Sequence, residues 1–297
     1  MSTETRSIEI SETLANYAVG SMQKGTRKVA EFLAPTVKVP ASIGTYKKWD
    51  EKSRFYIPDT LLARGGDATE IFTDATDQEY DCLPHGLDMI VDKVMGTDVP
   101  ALVQDASDLI ADIYGLAQLY ETLKLAKGSV GAGTDVEYAD NSDPVALFDA
   151  EVENVLLAGK CEGAALLFGA NAWTRFKSHP AVRERGLPLR YDLNPTLFTA
   201  DADYMGCFAS YDTKPEGIEP VLNFVLGDEV LIFGRNPVPN RRDPSFMKTL
   251  RFDGLIDKLR VVATKDGRRL QVLIDWSSEI KVTNASAVKR INYRAGS

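Results

Sequence analysis

The sequence predicts an α+β fold, and three observations carry that prediction. Residues 99–127 repeat apolar side chains at three- and four-residue steps along one unusually long helix. Residues 145–179 read as helix, strand, helix. The last third of the chain holds a series of short strand candidates separated by turn formers, at 221–225, 229–233, 247–252, 259–263, 270–274, 280–283 and 288–293.

The N-terminal residues read as an arm. Residues 9–33 are weakly helical, with Ser11 as a cap and Ile8 and Leu14 able to pack, and GSMQKGTRK (20–28) interrupts the pattern. Pro35 and Pro40 then bracket Thr36, Val37, Lys38 and Val39, which alternate as a strand does. Proline lacks a backbone donor and restrains its predecessor, so this strand belongs at a sheet edge. An arm of this kind needs a surface to lie on, and we expect another molecule to supply it. Residues 44–80 follow as a long two-stranded loop. Extended pieces at 46–49 and 70–73 flank an insert carrying Pro58, Gly65 and Gly66. A lone ribbon is marginal in water, and a loop this long with little core is usually functional.

The strongest helix spans 99–127, with Asp98 placed to cap it and Pro100 in its first turn. Its apolar set (Leu102, Val103, Ala106, Leu109, Ile110, Ile113, Leu116, Ala117, Tyr120 and Leu123) reads as one stripe, with Gly128 as the stop. At 1.5 Å per residue the helix is roughly 40 Å long. A second helix covers 144–158, capped by Asp143, opened by Pro144 and ended by Gly159. GAALLFG (163–169) is a short buried strand, and ANAWTRFKSHP (170–180) is a helix that must stop near Pro180. Residues 261–274 form a hairpin around Asp266-Gly267.

The chain has 297 residues, and its hydrophobic (44%) and charged (26%) shares are those of a globular protein. A net charge of −9 argues against a general nucleic-acid-binding surface, which needs clustered Lys and Arg. Cys82, Cys161 and Cys207 are too few and too scattered for a disulfide framework and read as free thiols of a reducing compartment. The first residues show no signal-peptide pattern, and no window is apolar enough to span a membrane. We therefore expect a cytoplasmic protein.

The search for chemistry returns little. Cys82 and His85 have the spacing of half a metal site without a second half, so no metal or other cofactor is expected. His179, before Pro180, suits a turn. GSVGAGTD (128–135) and GGDATE (65–70) lack the strand–helix context of phosphate loops, and GGDATE reads as a loop tip. No nucleophile elbow and no nominable acid–base pair appear, so catalytic residues are not assigned. RNPVPNRRD (235–243), with Arg235, Arg241 and Arg242, is the densest basic segment, and reads equally as an intersubunit contact and as an exposed loop. A long helix, an extended arm and a ribbon without an active site describe a part completed by its neighbours.

In this order the features resemble the major capsid proteins of tailed bacteriophages, whose fold is shared with encapsulin shells. FLAPTVKVPASIGTY is similar to the family's N-terminal arm and the start of its extended loop. RFYIPDTLLARGGDATEI is similar to that loop's tip and return, and DQEYDCLPHGLDMIVD to its return strands. DVPALVQDASDLIADIYGLAQLYETLKLAKG resembles the spine helix, with Glu121 at a position where the family often has Glu. The segment from SDPVALF to KSHPAVRERG resembles the axial-domain core, and GDEVLIFGRNPVPNRRDPSFMKTLRF the segment that leaves it.

The resemblance implies an N-terminal arm (1–43), an extended loop (44–80), a peripheral domain with the spine helix (81–135), an axial domain (136–245) and returning peripheral strands (246–297). It implies a structural subunit, not an enzyme, that assembles as hexamers and pentamers into an icosahedral virion shell around double-stranded DNA, inside a host bacterial cytoplasm. About 40 residues before the loop leave no room for a fused scaffolding domain, so a separate scaffolding protein or none is implied, with a portal and decoration proteins as further partners and no membrane. Assembly contacts are expected at Val37, Val39, Tyr46, Lys47, Trp49, Arg54, Phe55, Arg64, Arg235, Arg241 and Arg242. Some members join neighbouring subunits by a Lys–Asn isopeptide bond, for which Lys47, Lys48 or Lys52 and Asn284 are the candidates here. A compartment shell of encapsulin type, and an α/β enzyme with an unrecognised site, are the competing readings.

Overall fold

Two sheets share one long helix. The computed structural model describes residues 25–49, 75–92, 99–138, 142–184, 202–206, 209–211, 222–224, 226–252, 254, 259–264 and 268–295. Five helices are described: α1 (Gly25–Leu33), α2 (Val99–Val130), α3 (Pro144–Gly159), α4 (Ala170–Ser178) and α5 (Pro180–Glu184).

The first sheet contains β1 (Thr36–Val39), β4 (Leu83–Asp92), β11 (Met247–Phe252), β12 (Leu259–Ala263) and β13 (Arg269–Val282). Its order is β1-β11-β13-β12, with β4 along the other side of β13. The two strands expected at 270–274 and 280–283 are one. Trp276, Ser277 and Ser278, which lie between them, are buried within it. β12 and β13 pair as the expected hairpin, Ala263 opposite Leu270, while Asp266 and Gly267 lie outside the described residues.

The second sheet has the order β5-β14-β10-β6-β7, from Thr134–Tyr138, Val288–Ala295, Glu229–Gly234, Ala164–Phe168 and Ala202–Gly206. β14 therefore leaves the other C-terminal strands and joins β10, although the reading of 246–297 kept them together. The unbroken apolar runs of β6 and β10 follow from burial on both faces. Leu166, Phe168, Val230 and Ile232 face Phe148, Trp173 and Phe176 of α3 and α4. Ala165, Leu167, Leu231 and Phe233 face α1 and the C-terminal half of α2.

α3 is capped as expected, Asp143 accepting from the N–H groups of Val145 and Ala146. Gly159 closes its last turn, but the left-handed residue is Lys160, at φ 51°. Glycine is needed at 159 because a Cβ there would lie 2.5 Å from that of Ala287. His179 ends α4, and its buried ring accepts from the N–H of Ala181 at 3.2 Å, the turn role expected of it.

The single stripe expected on α2 is corrected. Val103, Ala106, Ile110 and Tyr114 pack on Val91, Val272, Ile274 and Trp276 of the first sheet. Leu119, Leu123 and Ala126 pack instead on α1 and the second sheet. The buried face thus turns by roughly half a revolution along the helix. Leu109, Ile113 and Tyr120 are left exposed between the two cores. Gly128 does not stop the helix, which runs to Val130 and ends at Gly131 with a positive φ. Asp98 lies outside the described residues.

Among the described residues no helix is long and apolar enough to cross a membrane, and no group of His, Cys, Asp or Glu is arranged to hold a metal. Cys82 donates to the Leu250 carbonyl, and His85 stacks on Trp276. Burial chiefly, with the Glu279 carboxylate beside it, pushes the Cys82 thiol pKa up, as expected of an inert structural cysteine.

Candidate assembly surfaces

The arm is the first place where structure and expectation part. β1 pairs in parallel with β11 of its own chain, Val37 beside Leu250 and Val39 beside Phe252. Val37, Val39 and Tyr46 are buried together with Tyr80, Cys82 and Leu250. The surface beneath the arm strand is therefore intramolecular, and these three side chains stand in the chain's own core.

That core anchors the ribbon. β2 (Ile43–Trp49) and β3 (Ala75–Asp81) pair antiparallel from Ile43–Asp81 to Trp49–Ala75. Gly44 is required at the base because a Cβ would sit 2.6 Å from the Tyr80 hydroxyl oxygen. Glu279 Oε2 accepts from Asp81 N at 2.9 Å, Ser42 O from Cys82 N at 2.7 Å, and Lys281 donates to the Glu79 carbonyl. Lys47 and Lys48 lie on β2 opposite Asp77 and Thr76. Arg54, Phe55, Arg64 and Lys52 belong to residues 50–74, outside the described residues.

At its C-terminal end α2 is fastened to the second sheet. Glu229 meets Lys127 at 2.9 Å and Arg290 at 2.6 Å. Arg290 also donates to the Gly131 carbonyl at 2.5 Å, and Asn292 Nδ2 to those of Ala132 and to Asp135 Oδ1. Burial alone would raise the Glu229 pKa, but hydrogen bonds and charge from Lys127 and Arg290 outweigh it and hold the carboxyl below its ordinary value. The glycine-rich segment after α2 is thus a tied turn, and it leads into β5, a strand the sequence did not reveal. Nothing in the sequence links Lys127, Glu229 and Arg290, which only the fold brings together.

The basic segment is a rigid loop. Asp243 is buried, accepting from Asn240 N at 2.5 Å and Ser245 N at 2.8 Å. The fully buried Lys248 lies 3.4 Å from its carboxylate and donates to its carbonyl at 2.7 Å. Such a pair is costly unless its hydrogen bonds are made, and here they organise the loop. Arg235 lies over the Phe32 ring, 4.9 Å from its centroid, while Arg241 and Arg242 are exposed. Asn284 is not a free amide. Its Nδ2 donates to the Gly159 and Pro244 carbonyls, each at 2.9 Å.

Neither a protein-family model nor a curated protein matches the sequence. Solved structures do match. A phage-related protein from Bordetella bronchiseptica RB50 aligns with 95% of this chain and 97% of its own, at TM-score 0.68 and 16% identity. A capsid structure of cyanophage P-SCSP1u aligns over 89% and 86%, at 0.53 and 10%. The fold is that of tailed-phage capsid proteins. A virus-like particle from Pyrococcus furiosus is also similar, over 96% of this chain and 100% of its own, at 0.54 and 11%. These neighbours share the α+β arrangement over most of their lengths.

Proposed function

We propose that the chain is the major capsid protein of a tailed phage, assembling as hexamers and pentamers into an icosahedral shell that encloses double-stranded DNA. The observation that carries this reading is end-to-end likeness to the phage-related protein, 95% of one chain against 97% of the other. The anchored base of the ribbon supports it, since a strand pair held in the chain's own core suits a segment that reaches another subunit. The net charge of −9 suits a wall that does not grip packaged DNA. In this reading the first sheet with α2 is the peripheral domain and the second sheet with α3 and α4 is the axial domain. The site of assembly is the host bacterial cytoplasm, the destination is the virion, and a portal, a scaffolding protein and decoration proteins are the further partners.

Electron microscopy of the purified protein tests the proposal. Closed shells are the expected result, and a protein that stays monomeric at all concentrations overturns it. A compartment shell of encapsulin type, the alternative that the sequence resemblance leaves open, is the second reading. Particles purified from the native source separate the two, by double-stranded DNA inside in one case and a protein cargo in the other.

A further inference from the structure

One face of α2 is apolar and exposed. Leu109, Ile113 and Tyr120 are 48%, 45% and 52% exposed, and Leu116 among them is half-buried. Steps of four, three and four residues separate the four on one unbroken helix. They therefore fall within an arc of about 60° and form a ridge about 16 Å long. The arc lies between the two faces of α2 that pack on the sheets. An exposed charge stands four residues beyond each end of the ridge, Asp105 before Leu109 and Lys124 after Tyr120. The other charges of this stretch stay out of line. Asp108, Asp112 and Glu121 are each next in sequence to a ridge residue and so point about 100° away from it. Lys127 is held by Glu229.

Resting on the shell reading, we propose that this ridge is a contact between two copies of the chain, whose α2 helices pack antiparallel about a two-fold axis. The pattern of the ridge identifies the occupant. Its spacing is the same read from either end, so a second α2 turned end for end sets Leu109 against Tyr120 and Ile113 against Leu116, twice over. The same turn brings Asp105 of each copy level with Lys124 of the other. A parallel pair would instead set acid against acid and base against base, so the opposite charges at the two ends select the antiparallel arrangement. The helix is already anchored on two other faces, so little conformational freedom is lost when it docks. A two-fold contact links one ring of subunits to the next, and is compatible with five-fold and six-fold rings alike.

Disulfide trapping on the full chain tests the contact. One variant carries Leu109→Cys and Tyr120→Cys, and two more carry each change alone. Both positions are exposed, so the variants fold, which circular dichroism checks. The two sites are about 16 Å apart along one helix, too far for a bond within one copy. Under mild oxidation the double variant is expected to run mainly as a covalent dimer on a non-reducing gel. Each single variant is expected to stay at the level of wild type, whose own cysteines set the background. Asp105→Lys in the double variant is expected to slow trapping about threefold at low salt, and Lys124→Asp added to the same chain to restore it. A dimer from Leu109→Cys alone means a parallel pair and overturns the arrangement, as does a charge exchange that restores nothing. No dimer above the wild-type level, with closed shells still forming, overturns the contact and leaves the shell reading intact. Wild-type protein that stays monomeric overturns both readings.

Discussion

The Asn284 side chain bridges the Gly159 and Pro244 carbonyls, so one amide locks the end of α3 to the loop that follows β10. Its oxygen accepts from Ser286 N. Every polar atom of the amide is therefore engaged within the chain. Asn284→Ala leaves the Gly159 and Pro244 carbonyls with only the weak Cys161 thiol as a side-chain donor and is expected to cost about 1–3 kcal/mol, read as a lower urea midpoint at unchanged slope. An amide so employed is a poor partner for Lys47, Lys48 or Lys52 in a cross-link. Mature particles are expected to run as single monomer bands on a denaturing gel, and a covalent ladder would contradict this.

The long helix gives a paired prediction. Ile110 is 3% exposed and packs on the first sheet, whereas Ile113, one turn on, is 45% exposed. Ile110→Asp buries an unpaired charge and is expected to give insoluble or unfolded protein, at a cost of several kcal/mol. Ile113→Asp is expected to stay soluble and folded. Equal damage from both, by solubility and circular dichroism, would mean that the helix is rotated from the position described.

Much of the fold was legible because caps and punctuation are local. Asp143-Pro144 announced α3, the apolar run 164–168 announced β6, and Pro35 with Pro40 framed β1. What escaped depends on partners distant in sequence. Thr134–Tyr138 carries two carboxylates and follows three glycines, yet it is a strand because β14 offers it an edge. The stripe on α2 was misread because two cores on different sides scatter its apolar residues round the helix. For the assembly surfaces, the strand expected at 46–49 runs from 43 to 49, its partner is 75–81 whereas the expected 70–73 lies outside the described residues, and Val37, Val39 and Tyr46 belong to the core beneath them. The ion pairs at Glu229 leave no sequence signal at all.

The Glu229 carboxyl makes stability fall in acid. Its folded pKa lies below the unfolded one, so its contribution is present above the unfolded value and is lost as pH falls through the folded value. Glu229→Gln is expected to lower the thermal midpoint at neutral pH and to flatten the decline below the ordinary glutamate range. Parallel melting curves for wild type and variant from pH 7 to pH 3 would contradict this.

Tyr293 is expected to contribute to the loss of stability in alkali. Its ring is buried and its hydroxyl makes no hydrogen bond among the described residues. Burial chiefly, with Tyr138 adding to it, pushes the phenol up to about 12 from an ordinary 10.0. The folded state thus resists ionisation that the unfolded state permits, so stability is full below the ordinary value and is lost as pH rises through the folded one. Tyr293→Phe removes an unpaired hydroxyl and is expected to be neutral or slightly stabilising at pH 7. It is also expected to reduce the loss of stability between pH 10 and pH 12, followed by denaturant titration.

The ribbon carries the largest functional expectation. Its base is held by Tyr46 and Tyr80 in a core with Val37, Val39 and Leu250, and by Glu279, Lys281 and Ser42. None of those anchors lies in residues 50–74, whose charged and aromatic composition offers little to a core of their own. Replacing 50–74 by a short Gly-Ser turn keeps β2, β3 and the base, so circular dichroism and the thermal midpoint are expected to change little. Closed particles are expected to disappear under electron microscopy, because each subunit loses one contact and the loss multiplies round the lattice. A stable protein that remains monomeric or forms small oligomers is the predicted outcome. Shells of the original diameter from the shortened chain would mean that the ribbon is not the clasp between subunits.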